Sequence, residues 1–129
     1  MEYIKDFDKW NDDKKKTNSK LASKEFNNRE VWWVKFGINI GSEQDGIGED
    51  FERPIVIIKK FSHTTFLCAP LTTKLKNVKY RVALSANNKI SYAILDQIKV
   101  LDSRRLIRKI GLADSFEFSF LKESVKSIF

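Results

Sequence analysis

The chain has one cysteine and one histidine in 129 residues, which narrows its possible chemistry at once. Cys68 has no partner for an internal disulfide and lies in an apolar, strand-like run. That fits a reduced protein in which it is a small buried hydrophobe. His63 falls in a predicted hairpin connection, the ordinary place for a surface histidine, so a Ser/His/Asp route has weak support. Zinc sets need more His and Cys than the chain offers, and its acidic residues lack EF-hand spacing. Asp45, Glu49, Asp50 and Glu52 are close enough in sequence to leave a carboxylate-held magnesium open, but a solvated acidic loop is the simpler reading. Phosphate-binding Walker loops and dinucleotide fingerprints are missing. The expectation is therefore no metal and no cofactor. No apolar run approaches membrane-spanning length, and Met1-Glu2-Tyr3-Ile4-Lys5-Asp6 is no signal peptide, so a soluble, cytoplasmic protein with no membrane partner is expected.

What the chain does have is a globular hydrophobic fraction, 42%, and a net charge of +7. The length allows one core. The charge favours a polyanionic partner, though a lysine-rich solvated face would give the same number. Residues 1–28 are polar and carry Lys14-Lys15-Lys16. There Tyr3, Phe7 and Trp10 fall at i, i+4 and i+7, predicting a short helix over about Tyr3 to Lys15. This arm either touches a polyanion such as nucleic acid with its lysines or packs its aromatic stripe on the main domain, and the second reading is the stronger.

From Arg29 the pattern becomes β. Strands are predicted at Glu30 to Phe36, Ile55 to Phe61, Thr65 to Ala69 (ended by Pro70), Lys79 to Leu84, Ser91 to Leu95 and Gln97 to Leu101. Trp32 and Trp33 must face opposite ways: one should be core and the other could meet an interface or a base-stacking surface, though core packing is the stronger reading for each. Asp102 or Ser103 can cap a short helix, Arg104 to Ile110, ended by Gly111. Asp114 and Glu117 form a capping-box-like signal for a last helix, with Phe118, Leu121, Val125 and Ile128 on one face. Periodicity supports a mainly β chain: a small β-barrel plus helices.

Between the first two strands lies a loop too long for a hairpin turn, 41–54. It holds three of the five glycines, five acidic residues and Arg53, fixed beside the stiff Pro54. Loops of this length in compact domains are usually functional or disordered. Gly41-Ser42-Glu43-Gln44, a following Gly, and Arg53-Pro54 before an apolar strand resemble the MazF/PemK family of toxin endoribonucleases. Glu30-Val31-Trp32-Trp33-Val34, Ala69-Pro70-Leu71-Thr72-Thr73 and Ala93-Ile94-Leu95-Asp96-Gln97-Ile98-Lys99 match further family segments in order. The resemblance runs from about Arg29 to the C-terminus, setting a 1–28 helical arm before a 29–129 domain, and implies an SH3-like barrel with a C-terminal helix.

The resemblance further implies a type II toxin that cuts single-stranded RNA without a metal. Such an enzyme leaves a 2′,3′-cyclic phosphate and a 5′-hydroxyl, works as a homodimer and is blocked by a cognate antitoxin. Arg53 matches the family's catalytic Arg, Thr72 its catalytic Thr or Ser, and Glu43 an acidic residue that serves some members as base. Gln44, Thr73, Lys74, Lys76, Tyr80 and Asp96 are the candidate RNA contacts. Asp96 is read equally as a residue that orients its loop. A guanidinium is better suited to steady a phosphate than to accept a proton. In isolation, Arg53 would be read as a surface ion pair with Glu52 or Asp50. The basic segments Lys74, Lys76, Lys79, Arg81 and Lys99, Arg104, Arg105, Arg108, Lys109 could track phosphates. The second could equally hold an acidic antitoxin tail. Tyr80 and Phe51 are candidates to stack bases. Two departures stand out. Ser42 replaces the His of the PemK branch and Ile94 its second Arg, so only the MazF-type Arg/Thr set carries over. The runner-up is a non-catalytic binding toxin on the same barrel, of the gyrase-inhibitor kind.

Overall fold

The computed structural model describes residues 5–18, 24–37, 51–74 and 80–129. Helix α1 (Phe7–Asn18) is followed by β1 (Glu30–Lys35), β2 (Glu52–Lys60), β3 (Thr65–Thr72), β4 (Arg81–Ala86), β5 (Lys89–Ile94), β6 (Lys99–Asp102), β7 (Leu106–Leu112) and α2 (Ser115–Ser127). Short 3₁₀ turns, Leu95–Gln97 and Ser103–Arg105, flank β6. Every strand pairing is antiparallel. The order is β4-β5-β3-β2-β1-β7, with β6 added to β3. A bridge from Ala86 to Ala113 ties β4 to the end of β7, so the sheet curls back on itself into a half-barrel.

The apolar run Ile55-Val56-Ile57-Ile58 is continuous because both faces of β2 are covered. Val56 and Ile58 join Val31, Leu71, Leu84 and Ala93 in one core, which α2 closes with Phe118, Leu121 and Val125. Ile55 and Ile57 join Trp32, Val34, Phe66, Cys68 and Leu106 in a second core on the other face. A short continuous apolar run is what such a strand requires. The two tryptophans differ: Trp32 is buried and Trp33 is half-buried, so full core packing holds for Trp32 alone.

Two elements differ from expectation. Pro70 does not end β3, which runs on to Thr72. On one edge β3 pairs with β6 up to Cys68↔Lys99 and with β5 from Leu71↔Ala93. Pro70, with no N–H to give, falls in the gap between these two partners, a position where a strand tolerates proline. The predicted helix Arg104–Ile110 is a 3₁₀ turn followed by β7. Leu106 and Ile110 have helical spacing, but β1 needed a second partner and long-range pairing prevailed. β7 accommodates β1 with two bulges, skipping Ile110 and Ile107 in the ladder. Gly111 is therefore a strand residue, not a helix cap. Asp102 does cap the turn, accepting from Arg104 N at 2.8 Å.

Elsewhere local chemistry explains local structure. Asn87 and Asn88 both take positive φ, 51° and 60°, the geometry of a tight hairpin turn that Asn tolerates. Asp114 caps α2 through Glu117 N (2.9 Å), while Glu117 reaches away to accept from Ser85 N (2.8 Å). The cap therefore also fixes the start of α2 to β4.

Glu30 is a buried acid that joins three segments. It accepts from Trp32 Nε1 (2.9 Å) and Asn27 N (3.0 Å) and pairs with Lys109 Nζ at 3.1 Å. Burial pushes its carboxyl pKa up, but the donors from Trp32 and Asn27 and the Lys109 charge outweigh that and hold it below 4.5. A depressed carboxylate pKa contributes stability above the unfolded value and loses it as pH falls through the folded one. Glu30→Ala should cost about 2 kcal/mol at neutral pH, since it leaves buried donors unpaired. In urea titrations the gap to the parent should shrink below pH 4.5, where the parent's own carboxylate takes up its proton.

Candidate active site

The start of β2 and the end of β3 meet at one end of the sheet. Their register, Ile55↔Pro70 and Val56↔Ala69, extended by two residues sets Arg53 across from Thr72. Both line a single cleft of ≈ 580 Å³, walled also by Trp33, Pro54, Thr73, Lys74, Arg81 and, from the β4–β5 hairpin, Lys89 and Ser91. Its described lining carries four cations, Arg53, Lys74, Arg81 and Lys89, and no carboxylate. Cations concentrated in a concave wall reinforce one another's attraction for an anion.

The hydrogen bonds explain how the cleft keeps its shape. Arg53 Nη1 donates to Leu71 O at 3.0 Å, so the guanidinium is held against the end of β3 beside Thr72. Thr72 Oγ1 accepts from Lys74 N at 3.2 Å, which turns the chain after β3 and leaves the hydroxyl's own O–H to donate. Arg81 Nη1 donates to Lys74 O at 2.9 Å, tying that turn to β4. Arg108 stacks 5.1 Å above the Trp33 ring and meets Glu52 at 3.9 Å. Glu52 thus meets Arg108; Asp50, the other acid in the surface-pair reading of Arg53, lies outside the described residues.

The sequence candidates fall into three groups. Arg53, Thr72, Thr73 and Lys74 come together in the cleft. Tyr80 and Asp96 are exposed and lie outside its lining; Tyr80 O accepts from Leu95 N at 2.8 Å, and Asp96 sits in a 3₁₀ turn. Glu43, Gln44 and Lys76 lie outside the described residues. Phe51 is no base platform: it is buried against the Trp10 ring, with centroids 5.4 Å apart.

Lys89 and Ser91 were not singled out from sequence. The signal existed: the Asn87-Asn88 turn fixes the register Ala86↔Lys89 and Leu84↔Ser91, putting all four side chains on one face. The second basic segment is largely engaged within the protein. Arg104 grips Asp102 through Nε and Nη2 (2.9 and 3.0 Å), and this hydrogen bond holds the Asp102 carboxyl below its usual range. Arg105 donates to Lys35 O (3.0 Å), and its burial draws the guanidinium pKa down. Lys99 lies 4.8 Å over the Phe36 ring, and Lys109 pairs with Glu30.

The profile of the PemK-like, MazF-like toxins of type II toxin–antitoxin systems matches residues 27–129. This chain belongs to that family. The endoribonuclease toxin MazF of Escherichia coli K12 is 32% identical over 98 residues, covering 72% of this chain and 84% of that protein. Among solved structures, MazF from Deinococcus radiodurans superposes with a TM-score of 0.68 at 19% identity, covering 82% of this chain and 97% of that one. A MazE–MazF complex from the same organism gives 0.63 at 16% identity, over 82% and 96%. The half-barrel with its closing helix is thus the MazF fold. Arg53 and Thr72 lie inside the matched stretch; α1 precedes it.

Among the described residues no cluster of three His, Cys, Asp or Glu side chains is placed to hold a metal, and no helix is long and apolar enough to cross a membrane. Cys68 stands apart from the cleft, wholly buried, and burial pushes its thiol up to about 12. Iodoacetamide at pH 8 should therefore leave the native protein unlabelled over an hour, while the same reagent in denaturant should label one thiol per chain. Native labelling would show that the second core opens on that timescale.

Proposed function

We propose that this chain is a toxin endoribonuclease that cuts single-stranded RNA at the Arg53–Thr72 cleft, with no metal in the reaction. The observation that carries the reading is the shared cleft itself. A guanidinium and a threonine hydroxyl from different strands converge among cations, with no carboxylate in the described wall to repel a phosphate.

RNA brings its own nucleophile. The 2′-oxygen attacks the adjacent phosphorus in line, the O2′–P bond forms, and the P–O5′ bond breaks. The products are a 2′,3′-cyclic phosphate and a 5′-hydroxyl. Charge builds on the non-bridging oxygens of the crowded intermediate. Arg53, with its planar fork of donors held beside β3, suits those oxygens, and the Thr72 O–H can donate to the same group. The proton from the 2′-OH needs a base, and Glu43 in the β1–β2 connection is the candidate by resemblance. The departing 5′-oxygen takes up a proton. Trp33, half-buried in the wall, offers a ring for an unpaired base, and Lys74, Arg81 and Lys89 suit the neighbouring phosphates.

The toxin is further proposed to act as a homodimer and to be silenced by a cognate antitoxin. For the dimer, α2 displays Phe116 and Phe120, 84% and 62% exposed, at i and i+4 on one ridge. Large exposed apolar groups in register on a helix are costly unless covered. Phe116→Glu/Phe120→Glu should lower the sedimenting mass from two chains to one at micromolar concentration. An unchanged mass would place the interface elsewhere.

Cleavage of a 5′-labelled single-stranded RNA in excess EDTA tests the enzyme. Arg53→Ala and Thr72→Val should each lower kcat/KM by about 10²–10³-fold with the circular dichroism spectrum intact. Lys74→Ala should weaken RNA binding and flatten the logarithmic salt dependence by about 0.7. No cleavage on varied RNAs, together with inhibition of DNA gyrase, would instead establish a binding toxin on the same barrel.

A further inference from the structure

Helix α1 lies before the matched stretch of the family, yet it is seated on the two strand ends that lead into the cleft. Trp10 is 6% exposed. Its ring covers Gly37 so closely that a Cβ there would fall 2.1 Å from Trp10 Cζ2, and Gly37 also takes a φ of +89° that other residues rarely adopt. The ring also meets Phe51. Gly37 follows the end of β1 and Phe51 precedes the start of β2. Between them, Phe36 N and Gly37 N both donate to Phe51 O, at 2.9 and 3.0 Å, closing the neck of the β1–β2 connection. Phe51 itself has a φ of +56°, a conformation a bulky side chain keeps only where its surroundings enforce it. Arg53 is two residues further on.

The helix is anchored beyond the indole. Asp13 pairs with Lys35 at 3.1 Å, and Arg104 Nη1 donates to Asn18 O at 3.1 Å. Arg105 lies 5.6 Å from the centre of the Trp10 ring while donating to Lys35 O. Trp10 and Phe51 form their own small cluster, separate from the two cores of the barrel.

We propose that α1 is a clamp on this neck, with Trp10 as a positioning residue that acts on Arg53 through Phe51. The positioning role rests on the nuclease reading above; the clamp itself does not. Trp10 touches no substrate. It fixes how closely the ends of β1 and β2 approach, and so where the guanidinium stands relative to Thr72. A displacement of about 1 Å at a reacting group costs on the order of a hundredfold in rate.

The test uses the full chain with Trp10→Ala and Trp10→Phe. Because the Trp10–Phe51 cluster is separate from both cores, Trp10→Ala should keep the barrel's circular dichroism. Amide exchange at Phe36 and Gly37 should accelerate about tenfold or more, while Val56 and Ile57 stay protected. On single-stranded RNA, kcat should fall about ten- to a hundredfold with KM within about twofold, and Trp10→Phe should restore most of it. Should Trp10→Ala prove unstable, Asp13→Ala, which loosens α1 from outside, should show the same pattern at smaller size. Unchanged exchange at Phe36 and Gly37 overturns the clamp. Faster exchange with unchanged kcat overturns the positioning role, and so does a loss confined to KM, which would make α1 an RNA contact. If the parent protein cleaves no RNA, the nuclease reading has failed, and the exchange result still decides the clamp.

Discussion

The antiparallel register between β2 and β3 is the constraint on which the rest depends. It is fixed by burial: Ile55 and Ile57 point into one core and Val56 and Ile58 into the other. A slip of one residue would exchange the two sets and turn every side chain of β2 over. The same slip would carry Arg53 away from Thr72. The same register thus serves core and cleft: aliphatic packing several residues away sets where the chemical groups stand, and hydrogen bonds, among them Arg53 Nη1 to Leu71 O, then hold the side chains.

β3 makes that economy possible. It pairs with β2 along one edge and is shared between β6 and β5 along the other. The handover occurs at Pro70, where a missing N–H does no harm. Beyond it, β3 leaves β6 behind and brings Leu71 and Thr72 against β5. The β4–β5 hairpin, with Lys89 and Ser91, is thereby carried into the lining that Arg53 shares. A proline that reads in sequence as a stop is, in the fold, the point where one strand changes partners.

This shows why some of the protein is legible in the chain and some is not. Elements whose signal is local were found: the β-branched run at 55–58 and the Asp114 cap. The helix expected at 104–110 was not there, because Leu106 and Ile110 suit either structure and the deciding partner, β1, is remote in sequence. Trp10 was found as part of an aromatic stripe, but it alone of the described stripe residues is packed: Phe7 is exposed, and Tyr3 lies outside the described residues. Which ring would be the anchor depended on a bare glycine at 37, which no periodicity marks. Phe51 misled for the same reason, since its cover comes from α1. Arg53 and Thr72 each look ordinary alone; only the family resemblance brought them together before the register did.

The charge needs the same care. A net +7 suggests a generally basic surface, but the cations are divided between two tasks. Those of the Ser103–Arg105 turn and β7 are used largely inside the protein: Arg104 on Asp102, Arg105 on Lys35 O and over Trp10, Lys109 on Glu30. They hold α1 and β1 in place. The cations around the cleft, Arg53, Lys74, Arg81 and Lys89, share a wall whose described lining has no carboxylate. An anion that spans Arg53, Lys74 and Lys89 together gains more from this wall than one that meets a single cation, which is the ground on which a strand of phosphates is proposed as its ligand. The aromatic wall at Trp33 sharpens the point, because a phosphate chain that also carries unpaired bases can use both surfaces at once.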